Sequence, residues 1–207
     1  MKLGAYFIEF DRTGFPLIRK NDWDFFISIF PVSKYQFESF LFENSPHRNM
    51  YTDEWYREKL KLNPRKEWWN IDEKYYELFL TGLTLREIEP FLRYLGDNFR
   101  LPIRDEWIKL YKNSREIRET LNDLNKIKSL LKHEDVASPV FLWIEKLPIP
   151  LTNECVLEML YDGEYFIGKP NYGLLPNLWI PEEIRSINWD TDVRKSVGFR
   201  ILKEIKR

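Results

Sequence analysis

One cysteine, two histidines and a few closely spaced acids are the residues of this 207-residue chain best suited to chemistry. Cys155 has no second cysteine with which to form a disulfide or a multi-thiolate metal site. No histidine lies near it in sequence to activate it, so it reads as a small buried apolar residue rather than a nucleophile. His47 sits in the polar run Ser45-Pro46-His47-Arg48, and His133 closes a helical stretch, where a cation complements the helix dipole. Both are expected at the surface. The pairs Asp162/Glu164 and Asp190/Asp192 could ligate Ca2+, but their spacing is generic and turn or solvent roles are expected instead. There is no Gly-rich phosphate loop, no Ser-His-Asp set and no zinc spacing. The expectation is therefore no catalytic residue, no metal and no cofactor.

Aromatic residues make up 16% of the chain and include 8 Trp, which suits a core built from large rings in a loop-rich fold. Trp68, Trp69, Tyr75 and Tyr76 are the candidates for protein binding. Adjacent rings on an extended segment face opposite ways, so one of Trp68 and Trp69 is left free to anchor a partner. The basic C-terminal residues Arg194, Lys195, Arg200, Lys203, Lys206 and Arg207 could touch phosphates, although a solvated edge strand with charged gatekeepers explains them more cheaply. With 32 Lys+Arg against 33 Asp+Glu, no global field draws in nucleic acid or an anionic membrane. The first residues meet Glu9 too early for a signal peptide, and no apolar run nears the roughly 20 residues a bilayer requires. Cytoplasm is the expected compartment.

The elements that position these residues follow from caps and periodicity. Tyr6–Phe10 and Phe25–Phe30 read as strands. Ser33-Lys34-Tyr35-Gln36 offers a capping box with Val32 and Phe37 as its staple, opening a helix that buries Phe37, Phe40 and Leu41. Residues 44–80 read as an irregular insertion with a helical turn or two. Thr84-Leu85-Arg86-Glu87 is a second capping box, and its helix runs to Gly96, expected in the left-handed conformation. Pro90 should kink that helix or shift its start. The stretch 100–107 opens a third helix, and 114–132 is an additional amphipathic helix with Ile117, Leu121, Leu124, Ile127 and Leu131 on one side. From residue 139 onward short apolar runs alternate with turn residues: Val140–Ile144, Val156–Tyr161, Tyr165–Ile167, Leu178–Ile180 and Gly198–Leu202. Helices in the first two thirds and antiparallel, loop-rich strands at the end describe a single α+β domain over 1–207.

Four stretches in matching order resemble the formylglycine-generating-enzyme (sulfatase-modifying-factor) family, a variant of the C-type lectin-like fold. Phe26-Ile27-Ser28 with Pro31-Val32-Ser33 resembles the family's opening strand, turn and first helix. Leu83–Glu87 through Phe91–Gly96 is similar to its second helix. Arg100-Leu101-Pro102-Ile103-Arg104-Asp105-Glu106-Trp107 resembles the family's R-L-P-T-E-A-E-W: Arg100, Leu101, Pro102, Glu106 and Trp107 match, and Ile103 replaces the helix-capping Thr. Val197-Gly198-Phe199-Arg200 resembles its closing G-F-R strand, and Val156-Leu157-Glu158-Met159 weakly resembles its N-V-W-E-W.

The resemblance implies an oxidase-type fold whose active members hold Cu(I) with two thiolates shortly before the closing strand. Between Pro170 and Val197 this chain has no cysteine. Related sulfoxide synthases use a three-histidine iron site, for which two histidines do not suffice. The resemblance thus implies a pseudoenzyme that keeps the scaffold and binds another protein, encoded nearby, as an accessory factor of a bacterial conflict or CRISPR-associated antiviral defence system. A nucleic-acid-binding module using aromatic stacking and the basic tail is the alternative, followed by a residual metal-dependent enzyme.

Overall fold

The computed structural model describes residues 2–44, 50–59, 79–121, 157–161, 165–168, 182–185 and 197–205. Helices and a mainly antiparallel pair of sheets make the fold α+β. Ten strands are described: β1 (Lys2–Leu3), β2 (Tyr6–Phe10), β3 (Pro16–Lys20), β4 (Phe25–Ser28), β5 (Phe99–Arg100), β6 (Leu157–Met159), β7 (Tyr165–Gly168), β8 (Glu182–Arg185), β9 (Val197–Phe199) and β10 (Leu202–Glu204). The helices are α1 (Lys34–Glu43), α2 (Asp53–Lys59), α3 (Leu85–Leu95), α4 (Arg104–Lys112) and α5 (Ser114–Leu121). One sheet has the order β1-β2-β3-β4-β10-β5 and the other β8-β7-β6-β9.

The expected helix starts are where the chain places them. The Ser33 hydroxyl accepts from the Gln36 amide at 3.2 Å, and Gln36 Oε1 accepts from the Ser33 amide at 2.9 Å, so the box closes in both directions. Gln36 then donates to the buried Asp11 carboxylate at 2.9 Å, tying α1 to the β2–β3 turn. That carboxylate also accepts from the amides of Thr13 and Phe15, while its burial pushes the carboxyl pKa up. At α3, Glu87 accepts the Thr84 amide at 2.7 Å and, through its other oxygen, the Trp55 indole at 2.6 Å. One carboxylate therefore caps α3 and anchors α2. The large rings fill the core: Phe37 lies 5.2 Å from Phe40, 5.1 Å from Phe91 and 5.7 Å from Trp55.

Several readings need correction. Of the two outcomes expected at Pro90, the shifted start is not met: α3 follows Thr84 and the proline sits buried inside the helix. Gly96 ends α3 with φ 142° and ψ 162°, not in the left-handed helical conformation. From there the chain turns through Asp97-Asn98, closed by the Phe99 amide donating to the Gly96 carbonyl at 3.1 Å, into β5. The run Gly198–Leu202 is not one strand: β9 and β10 belong to different sheets and Arg200-Ile201 carries the chain between them. The C-terminal strands are not all antiparallel either, because β6 and β9 pair in parallel, with Leu157 opposite Val197 and Met159 opposite Phe199. Parallel neighbours require a long crossover, and β7 and β8 lie within it. Strands β1, β3, β5, β8 and β10 are not among the elements expected from the sequence. Pro16 and the charged Arg19-Lys20 mask β3, where the proline is tolerated because it is the first residue. The runs Val140–Ile144 and Leu178–Ile180, and the stretch 122–132 of the amphipathic helix, lie outside the described residues.

Gly96 supplies a direct test. Its φ belongs to a region that only glycine occupies cheaply, while a Cβ there would meet nothing closer than Asn98 Oδ1 at 3.4 Å. Gly96→Ala is therefore expected to cost about 1–3 kcal/mol from backbone strain alone. A urea midpoint equal to that of the wild type would show that the α3–β5 junction is not held in this conformation.

Candidate functional site

Three of the stretches singled out in the sequence meet at one carboxylate. Glu158 stands in the middle of β6, fully buried, opposite Gly198 in the parallel ladder. Arg200, also fully buried, follows β9 and turns its guanidinium onto Glu158. Its Nε donates to Oε2 at 2.8 Å and its Nη2 to Oε1 at 2.8 Å, forming a two-pronged ion pair with no solvent-exposed side-chain surface. The remaining prong, Nη1, donates to the backbone carbonyls of Ser28 at 2.8 Å and Ile29 at 2.6 Å, where β4 ends. Trp107 completes the set: its indole Nε1 donates to Glu158 Oε2 at 2.9 Å.

Each member is positioned by local chemistry. Trp107 lies on α4, 1% exposed, with its ring stacked on Tyr111 at 5.7 Å and an interplanar angle of 12°. The start of α4 is set by Glu106, which accepts the Ile103 amide at 2.8 Å. Ile103 has no side-chain acceptor, so only one half of a capping box survives at this end. Arg100, leaving β5, grips the same Glu106 through Nη1 at 2.8 Å and Nη2 at 2.7 Å and sends its Nε to Glu204 on β10 at 2.6 Å. The carboxylates of Glu106 and Glu204 hold the Arg100 guanidinium well above its ordinary pKa, so it stays charged. Leu101 is buried beside it, and the Pro102 carbonyl accepts the Tyr161 amide at 3.1 Å. Phe199 is buried and meets Phe91 edge-on at 6.2 Å.

The residues that carry the resemblance, Arg100, Leu101, Pro102, Glu106, Trp107, Gly198, Phe199 and Arg200, are thus all described; Arg100 and Glu106 bond one another, while Trp107 and Arg200 meet at Glu158. Glu158 was recognised only through a weak likeness and carries the centre. Trp68, Trp69, Tyr75 and Tyr76 lie outside the described residues, as do Cys155, His47, His133 and the Asp162/Glu164 and Asp190/Asp192 pairs. Among the described residues no group of three His, Cys, Asp or Glu is placed to hold a metal ion, and no helix is long and apolar enough to cross a membrane. Comparison with family models, curated proteins and solved structures gives no match.

Chemically, the Glu158–Arg200–Trp107 arrangement is closed. Glu158 receives three donors, and Arg200 gives N–H groups to four acceptors, all from the protein. Removing one partner strands a charge where water does not reach, which costs about 3–5 kcal/mol. Glu158→Leu and Arg200→Met should each destabilise by roughly that amount. The double variant should lose clearly less than the sum of the two in urea unfolding, because neither charge is then left alone. Strict additivity would mean the pair is not coupled.

Proposed function

We propose that the chain is a non-catalytic protein-binding subunit, built on a formylglycine-generating-enzyme-like frame. The observation that carries this reading is that the residues bearing the resemblance are consumed by internal bonds. Glu158, Arg200 and Trp107 satisfy one another, and Arg100 and Glu106 do the same one turn away. What the resemblance preserves in this chain is a set of caps, a packed indole and a buried ion pair, all of them structural roles. The segment 170–197, where the related oxidases carry their thiolates, has no cysteine.

Binding surface remains on the outside of the frame. Phe42 on α1 is 89% exposed, Tyr161 after β6 is 55% exposed and Ile103 before α4 is 46% exposed. Tyr161 and Ile103 flank the Pro102–Tyr161 hydrogen bond, and the Arg100 guanidinium lies 5.6 Å from the Tyr161 ring. Aromatic and Arg side chains so arranged are common anchors of protein interfaces. The aromatic set Trp68, Trp69, Tyr75 and Tyr76 belongs to the same reading. The resemblance adds the context of an accessory factor in a bacterial defence locus, with the partner encoded nearby.

The test is expression of the tagged chain in its own host with neighbouring genes intact, followed by purification under nuclease treatment. A stoichiometric protein from the neighbourhood is expected to remain bound. Recovery of the chain alone would remove the partner reading, and a partner lost on nuclease treatment would transfer support to the nucleic-acid alternative.

A further inference from the structure

One register row of the six-stranded sheet alternates cation and ring from edge to edge. Lys2 lies opposite Phe7, and Phe7 opposite Arg19. The β3–β4 register that pairs Leu17 with Ser28 and Ile18 with Ile27 puts Arg19 beside Phe26. Phe26 lies opposite Lys203, and Lys203 opposite Phe99. Residues that oppose one another across a sheet project from the same face. The side chains confirm it: the Arg19 guanidinium carbon is 4.7 Å from the Phe7 ring centroid and 5.3 Å from that of Phe26. Lys2 Nζ is 5.7 Å from Phe7, and Lys203 Nζ is 5.9 Å from Phe26.

The charges of this row are unevenly answered. Lys203 forms an ion pair with Glu9, which projects from the same face as Phe7. Among the described residues neither Lys2 nor Arg19 forms an ion pair, and the buried Arg19 Nε has no hydrogen-bond partner. Arg19 is half-buried and walled by two rings, so its fork is held in place and little rotamer freedom is left to lose on binding. Such a guanidinium suits a planar carboxylate, which it takes with two parallel N–H bonds. A polyanionic nucleic acid is a poorer fit, because its affinity rests on many phosphate contacts and Glu9 stands on the same face.

We propose that the Lys2–Phe7–Arg19 end of this row, beyond the buried Phe26, is a docking surface for an extended acidic segment of a partner protein, with Arg19 receiving a carboxylate and Lys2 a second. The inference rests on the protein-binding reading above and adds to it the surface and the partner's chemistry. Lys2 and Arg19 stand two strands apart, about 9.6 Å at ordinary strand spacing. Residues three apart in a polyproline II segment are about 9.3 Å apart and share a face. An acid at every third position of an extended segment crossing the strands therefore meets both cations.

A Glu-Pro-Pro repeat peptide reproduces that spacing and serves as the probe, with a Lys-Pro-Pro repeat and an oligothymidylate as comparators. Titrated into the full chain and followed by amide NMR, the acidic peptide is expected to give saturable shifts at Phe7, Arg19 and Phe26. The Lys-Pro-Pro peptide should give none. Arg19→Glu should weaken the acidic peptide at least about tenfold. Lys2→Glu, at an exposed edge where folding is not at risk, should weaken it several-fold. No saturable shift, unchanged affinity in both variants, or tighter binding of the oligothymidylate at the row would overturn the proposal. The co-purified partner separates this failure from the earlier one. If it is retained at wild-type recovery by Arg19→Glu, the surface is wrong and the binding reading stands.

Discussion

The pairing of Arg200 with Glu158 is the constraint on which the rest of the structure depends. Both side chains are sealed from solvent, and desolvating two such charges costs several kcal/mol each before their attraction is counted. The arrangement holds only if the remaining N–H groups and lone pairs find partners at the same time. Those partners come from the end of β4, through the Ser28 and Ile29 carbonyls, and from α4, through Trp107; with β6 carrying Glu158 and the exit of β9 carrying Arg200, four places meet. No single element can satisfy the pair, so the pair demands that all four be assembled.

That demand accounts for how the two sheets are joined. The chain leaves β9 in the four-stranded sheet at Phe199 and enters β10 in the six-stranded sheet at Leu202. Arg200 and Ile201 make the passage, and both are fixed to β4: Arg200 through its guanidinium, Ile201 by exchanging hydrogen bonds with Ser28. On its other side β9 is closed by the Val32 and Gly82 amides, which donate to the Phe199 and Val197 carbonyls at 2.8 and 2.9 Å. A buried ion pair contributes less net stability than apolar packing of the same volume, but its directional bonds tolerate few alternatives. Here they specify which two sheets meet and at which residue.

Sequence made the caps legible because a cap is a local event. Ser33 with Gln36 and Thr84 with Glu87 lie three residues apart; the first box closes in both directions, and in the second the Glu87 carboxylate accepts both the Thr84 amide and its hydroxyl. The packing role of Trp107 and the closing position of Arg200 were legible through likeness, yet the reason for them was not. Their common partner, Glu158, is 51 residues from one and 42 from the other. Its own segment carries only a weak signal. Other strands escaped for separate reasons: β1, β5 and β10 have two or three residues and no periodicity to read, β5 and β10 pair only with segments far away in sequence, and proline or charged residues mask β3 and β8. The break between β9 and β10 is invisible in the apolar run that spans them, since it exists to let one arginine reach inward. Trp68, Trp69, Tyr75 and Tyr76, proposed from the adjacent rings of the 44–80 insertion, fall outside the described residues.

Three arginines now separate by what surrounds them. Arg200 is surrounded by its own partners and has no surface to offer. Arg100 is clamped by Glu106 and Glu204 and presents only the edge beside Tyr161. Arg19 has rings on two sides and, among the described residues, no counter-charge. The two rings return a cation–π attraction of about 0.5–2 kcal/mol each, which offsets part of the cost of desolvating a charge that has no counter-ion beside it. The first two arginines are explained by the fold that they hold together. The third is held by its stacking on Phe7 and Phe26, and in the docking surface proposed above that stacking keeps the fork oriented for a carboxylate.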